Sequence, residues 1–161
     1  MAKSIESLTQ SANRLSSCVE SSANNSLGSG YFWNENMKKC MEETDKKISS
    51  DEALSTDHKE KIKLLYKEAA QKEMDEITCS MDQIRKYTAP IPAWQKELGS
   101  INLRANSSSN EILKALNEIL RELNKIFELV SSSEPWNRSV VKTSDDIFRR
   151  VCEQVLSSNR V

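Results

Sequence analysis

Histidine occurs once in this 161-residue chain, glycine and proline three times each, and aromatic residues make up only 6%. Each scarcity excludes something. With one histidine, His58, a histidine-rich metal site cannot be assembled, and a triad would need that single residue beside a placed partner. His58 sits among Asp57, Lys59 and Glu60, where the first turn of a helix faces solvent. So few glycines, prolines and aromatics argue against a sheet protein, which needs more turns and more β-branched and aromatic residues. "GSG" at 28–30 lacks the lysine and the preceding strand of a phosphate loop. No apolar run approaches the roughly 18 residues of a membrane span, and "MAKSIESLTQSANRL" lacks the apolar core of a signal peptide. Net charge is −1, so no overall field draws nucleic acid or anionic lipid, and the basic doublets at 38–39, 46–47 and 149–150 extend into no stripe. Cys18, Cys40, Cys79 and Cys152 lie far apart without a CxxC pair, and are read as reduced residues packed in helices.

What is present is helical rhythm. Ile5, Leu8, Ala12, Leu15 and Val19 are spaced 3-4-3-4, which predicts a helix over 4–25 with a narrow seam that "SLGSG" ends. Trp33, Met37, Cys40, Met41, Thr44 and Ile48 share one side of a second helix over 31–48, with 49–56 as a connector. Asp57 with Glu60 forms a capping box that opens a third over 57–88, and Pro90 and Pro92 stop it. "PAWQKELG" makes one or two turns ended by Gly99, and 100–109 is a loop. Ser108 with Glu111 caps a helix over 109–130, whose Leu113, Leu116, Leu120, Leu123, Phe127 and Val130 run 3-4-3-4-3. Ile112, Ile119 and Ile126 widen that stripe to three positions per heptad, so this helix is covered from two sides in a bundle of at least three or four helices. A last helix over 144–156 carries Ile147, Phe148, Val151, Val155 and Leu156.

The expected architecture is all-α: one helical domain over 1–161, an elongated up-and-down bundle of about five helices with coiled-coil-like seams. No catalytic, cofactor-binding or metal-binding residues are assigned. The residues expected to face a partner are Ile5, Leu8, Leu15 and Val19 of the serine-rich first helix, Tyr31 and Phe32 after the "GSG" turn, and Trp136 in the loop "SSEPWNRS".

The aromatic-led "YFWNENMKKCM", a charged connector and "LLYKEAAQKEMDEI" give residues 31–84 a further likeness. This stretch resembles the head region of the small helical subunits of the kinetochore's KMN network, the scaffold between centromeric chromatin and microtubule-binding proteins. The resemblance implies a short helical hairpin leading into a long helix, and helical proteins as partners. Members of that family continue into a long coiled coil, whereas "APIP" stops the helix here at residue 90. The functional expectation is a non-enzymatic interaction or scaffold subunit of an intracellular assembly, nuclear or cytoplasmic. It would be hetero-oligomeric with other helical proteins and without nucleic acid, membrane or small-molecule substrate. Two alternatives stand beside it: a self-contained adaptor holding a short peptide in a groove, and a secreted four-helix signalling protein.

Overall fold

The computed structural model describes residues 2–101, 109–132 and 138–157, and over these the chain is all-α. Five helices follow in order: α1 (Ala2–Ser50), α2 (Thr56–Thr88), α3 (Ile91–Ile101), α4 (Ser109–Ser132) and α5 (Val140–Ser157). The number matches expectation, but the helices are not the same five. The first two expected helices are one continuous helix of 49 residues, and the turns after Pro92 form a helix of their own.

The continuity of α1 has a physical cause. Glycine costs a helix about 1 kcal/mol but does not break it, whereas proline would. Neither Gly28 nor Gly30 has the positive φ of a helix-ending turn. The buried positions of α1 also pass through the glycines without a slip: Ile5, Thr9, Ala12, Ser16, Val19, Ala23, Ser26, Gly30, Trp33 and Met37 alternate four and three residues apart. The packing face therefore stays in register where local composition signalled a stop. Its centre is built from small residues, with Ser16 fully buried and Leu8 and Leu15 half-buried on the flank.

Other boundaries shift for reasons visible in their caps. Ser55, not Asp57, caps α2: its hydroxyl accepts from the His58 amide at 3.2 Å and its carbonyl from the Lys59 amide at 2.9 Å. His58 is accordingly half-buried rather than solvent-facing. α5 starts a turn earlier than expected, with the Ser139 hydroxyl accepting from the Lys142 amide at 3.3 Å. Ser144 is thereby moved from a helix end into the core. α3 runs through Gly99 to Ile101, burying Ile91, Leu98 and Ile101. The Ser108 cap lies outside the described residues.

The single body expected from chain length resolves into two compact units, Met1–Leu27 with Met81–Glu134 and Gly28–Ser80 with Pro135–Val161. In the first, the early part of α1 shares a core with the end of α2, with α3 and with α4. α3 packs on α4, and Gln95 of α3 donates to Glu20 of α1 at 3.1 Å. The α4 stripe is closed within this unit: Leu116 and Leu123 are fully buried, and Ile119, Ile126 and Val130 nearly so. Five such side chains are worth on the order of 10 kcal/mol in gross transfer free energy. The buried line runs one position round from the expected seam, centred on 116, 119, 123, 126 and 130, and leaves Phe127 on the rim at 38% exposure. Ile5 and Val19, expected to meet a partner, are instead 2% and 0% exposed inside the chain's own core.

The second unit is a three-helix bundle. Ser49, Asp45 and Asn34 of α1 meet Lys59, Lys63 and Thr78 of α2 in that order, at 3.1, 3.8 and 3.1 Å. Descending numbers against ascending ones make α1 and α2 an antiparallel hairpin. α5 lies in its groove: Arg138 at its foot accepts from Trp33, and Phe148 further along meets Lys47, so α5 runs parallel to α1.

Two substitutions test the α1 seam. A Cβ added at Gly28 meets nothing within 4 Å, so Gly28→Ala is expected to stabilise the chain by roughly 0.5–1 kcal/mol in urea denaturation. A loss would mean that a turn, not a helix, occupies 26–30. The buried Ser16 hydroxyl has no partner among the described residues; Ser16→Ala should raise stability by about 1 kcal/mol, while Ser16→Leu, overfilling the seam, should lower it by about 1–3 kcal/mol.

Candidate interaction surface

The described residues include no group of three or more His, Cys, Asp or Glu placed to hold a metal ion, and no helix among them is long and apolar enough to cross a membrane. All four cysteines are free thiols. Cys18 and Cys79 are exposed, contrary to the core-packing expectation, while Cys40 and Cys152 are half-buried. Burial, then the charges of Glu43 and Asp145, raise the Cys40 thiol above its ordinary value. Burial and Asp51 raise Cys152, against a smaller lowering by Lys47. A raised thiol carries little thiolate at neutral pH, the opposite of what a nucleophile needs.

The chemistry of the three-helix unit is packing. Two polar pins hold α5 in place. The Tyr66 hydroxyl shares a 2.6 Å hydrogen bond with that of Ser144, both groups buried. The Trp33 indole N–H donates to the Arg138 carbonyl at 3.0 Å, and the Arg138 guanidinium reaches Glu73 of α2 at 3.3 Å. Around them, Phe148 stands edge-on to Tyr66, ring centroids 6.5 Å apart, and Lys47 lies 5.1 Å over its ring centroid.

Three shallow grooves follow from this arrangement. One, of about 460 Å³, opens between α1 and α2, with Met41, Ile48 and Leu64 flanked by Glu42, Asp45, Lys63 and Lys67. A second, of about 410 Å³, lies between α2 and α5, with Leu65 and Val151 among charged Glu68, Lys72 and Arg150. The third, of about 520 Å³, runs along α5 past Phe148, Cys152 and Leu156. It is the most apolar, and it belongs to a longer stripe. Positions 141, 145, 148, 152 and 156 recur at four- and three-residue steps and so share one helix face. Val141 is 60% and Leu156 41% exposed.

α5 thus has two apolar faces. Ile147, Val151 and Val155 bury against the hairpin; their sequence neighbours Phe148, Cys152 and Leu156 point to the outer side. The signal was present in the sequence as apolar doublets at 140–141, 147–148, 151–152 and 155–156, twice the width that a single covered face requires. Sequence reasoning took Val141 as a loop residue and missed the face.

The aromatic triplet divides as helical geometry demands: Trp33 is 2% exposed, Tyr31 55% and Phe32 70%. Of the other residues expected to meet a partner, Leu8 and Leu15 are half-buried in the first unit, and Trp136 lies outside the described residues. The structure therefore does not gather the expected set into one site. Comparison with protein-family models, with curated proteins and with solved structures finds no match.

Replacing Tyr66 by Phe keeps the ring against Phe148 but leaves the Ser144 hydroxyl buried without its partner. The expected cost is about 1–2 kcal/mol by chemical denaturation, and adding Ser144→Ala should recover part of it, since removing both partners leaves no orphaned group.

Proposed function

We propose that this chain is a helical interaction subunit that folds by itself and offers its three-helix unit to another helical protein. One observation carries the reading: α5 has a second face that is apolar except at Asp145, with Val141 and Leu156 exposed although the inner face of the helix is already buried. Isolated exposed aliphatics are ordinary on any surface. A stripe of apolar side chains at helical spacing, exposed at both ends and lying beside a neighbouring helix, is the form in which amphipathic helices are received.

The covered α4 stripe supports a self-standing binder over a chain whose seams wait for another subunit. That brings the scaffold reading close to the adaptor alternative, the difference being whether the guest is a peptide or a folded partner. The hairpin over 31–84, which resembles the kinetochore head regions, supplies α1 beside this surface, and a role in such an assembly remains part of the proposal. The four free thiols lend no support to a disulfide-held signalling protein.

The test is a double substitution on the outer face, Val141→Asp with Leu156→Asp. Both residues are exposed, so the thermal melt should stay within about 1 kcal/mol of the wild type. Binding to a panel of synthetic peptides with one apolar helical stripe and varied flanking charge should fall by at least about tenfold. A panel that binds neither protein, or both equally, would overturn the reading.

A further inference from the structure

Beside the outer stripe of α5 runs a matching stripe of α1. Phe32, Asn36, Cys40, Glu43 and Lys47 recur at steps of four, four, three and four, and so share one helix face. Three observations place this face against the outer stripe of α5. Lys47 lies over Phe148, the Cys40 thiol feels Asp145, and the Cys152 thiol feels Lys47. The two helices are parallel, so the stripes form the banks of one shallow channel. At its foot stand Phe32, 70% exposed, and Val141, 60% exposed; at its head lie Phe148, Cys152 and Leu156, on an α5 groove that Arg149 and Glu153 also line. Between them sit Glu43 and Asp145, both exposed, both acting on the same thiol, and neither in an ion pair among the described residues.

Resting on the interaction reading above, we propose that this channel receives a single amphipathic helix of another protein, whose apolar stripe is interrupted by a lysine or arginine set between two apolar anchors. The ends of the channel ask for apolar side chains. Its middle forbids one: Glu43 and Asp145 outnumber the stripe's one lysine, Lys47, which already lies over Phe148, so covering both carboxylates strips them of water with too little charge in return. A basic residue there turns that cost into attraction, and its absence rejects a wrong guest. Along α5, Val141 and Phe148 are seven residues apart, about 10 Å, and Val141 and Leu156 about 22 Å. The guest therefore presents anchors at i, i+7 and i+14, with its base at i+3 or i+4. A second copy of this chain is a poor occupant: pairing two outer faces would bring Asp145 and Glu43 towards their own counterparts. Nucleic acid is rejected by the same charges.

The experiment titrates the full chain into two fluorescent helical peptides of about 22 residues, enough to span the channel. Both carry leucine at i, i+7, i+11 and i+14, and they differ only in having lysine or glutamate at i+3 and i+4. The lysine peptide should bind at least about tenfold tighter, the margin should shrink at high salt, and Glu43→Lys with Asp145→Lys should invert the preference. If both peptides bind equally and both are lost in the Val141→Asp, Leu156→Asp variant, the interaction reading stands and the basic guest is overturned. If neither binds, or binding ignores that variant, the channel is overturned as the docking site. Self-association of the chain alone in sedimentation, abolished by the same variant, would make the occupant a second copy and overturn the foreign helix. Should the charge-reversed variant fail to fold, the comparison of the two peptides on the wild-type chain decides the question.

Discussion

The seam of α1 is the constraint that the structure obeys throughout. From Ile5 to Met37 its buried positions keep an unbroken four-three alternation, and both compact units draw part of their core from it. At such a seam side-chain size matters more than hydrophobicity. Thr9, Ala12, Ser16, Ala23, Ser26 and Gly30 leave room for neighbouring helices to come close, and the Thr9 hydroxyl settles on the Ile5 carbonyl at 2.7 Å rather than seeking a distant partner. Packing of this kind gains from dispersion over many contacts, each small. It is intolerant of added volume.

The three-helix unit is secured differently. Its aliphatic contacts are supplemented by polar pins whose partners are far apart in sequence: Tyr66 with Ser144, and Trp33 with Arg138. An apolar helix could slide or rotate in a greasy groove with little penalty, but a buried hydroxyl pair fixes both depth and rotation. That fixes which side of α5 turns outward. The outer face is thus set by what the inner face must satisfy.

How much of this was legible depends on how local each cause was. The α4 helix was plain because its stripe is aliphatic, three positions wide and uninterrupted. The end of α2 at the "APIP" prolines was plain because a missing N–H and a ring clash act locally. The continuity of α1 was hidden. Serine and glycine at 26–30 resemble a turn, and only the register of Ala23, Ser26, Gly30 and Trp33 shows that packing overrides them. The start of α5 was placed too late, at Ser144, for the same reason: a serine ahead of Asp145 and Asp146 has the composition of a helix start, and nothing local reveals that Tyr66 lies opposite. That Trp33 turns inward and Tyr31 and Phe32 outward followed from helical spacing with Met37 and Ile48, but the partner of the Trp33 indole, the Arg138 carbonyl, lies 105 residues away. Ile5 and Val19 were sorted to the outside because a weak, serine-rich helix seemed to need help. The help comes from later segments of the same chain.

The order in which the units are threaded bears on how the chain is made. Each unit is assembled from two separate stretches, interleaved so that the first is completed by residues up to 134 and the second by residues 135–161. On a ribosome emitting the chain from its N-terminus, the α1–α2 hairpin is the earliest piece that can close, since its halves are joined by a five-residue connection and loop closure is quick over short spans. The first turns of α1 have no such neighbour at hand. They must wait, with Ile5 and Val19 uncovered, until α4 has emerged, and the hairpin must wait for α5. A polypeptide arranged in this way completes neither core before α4 and α5 have emerged, so a nascent chain stalled short of α5 would display the inner surfaces of its hairpin to whatever chaperone stands at the exit tunnel.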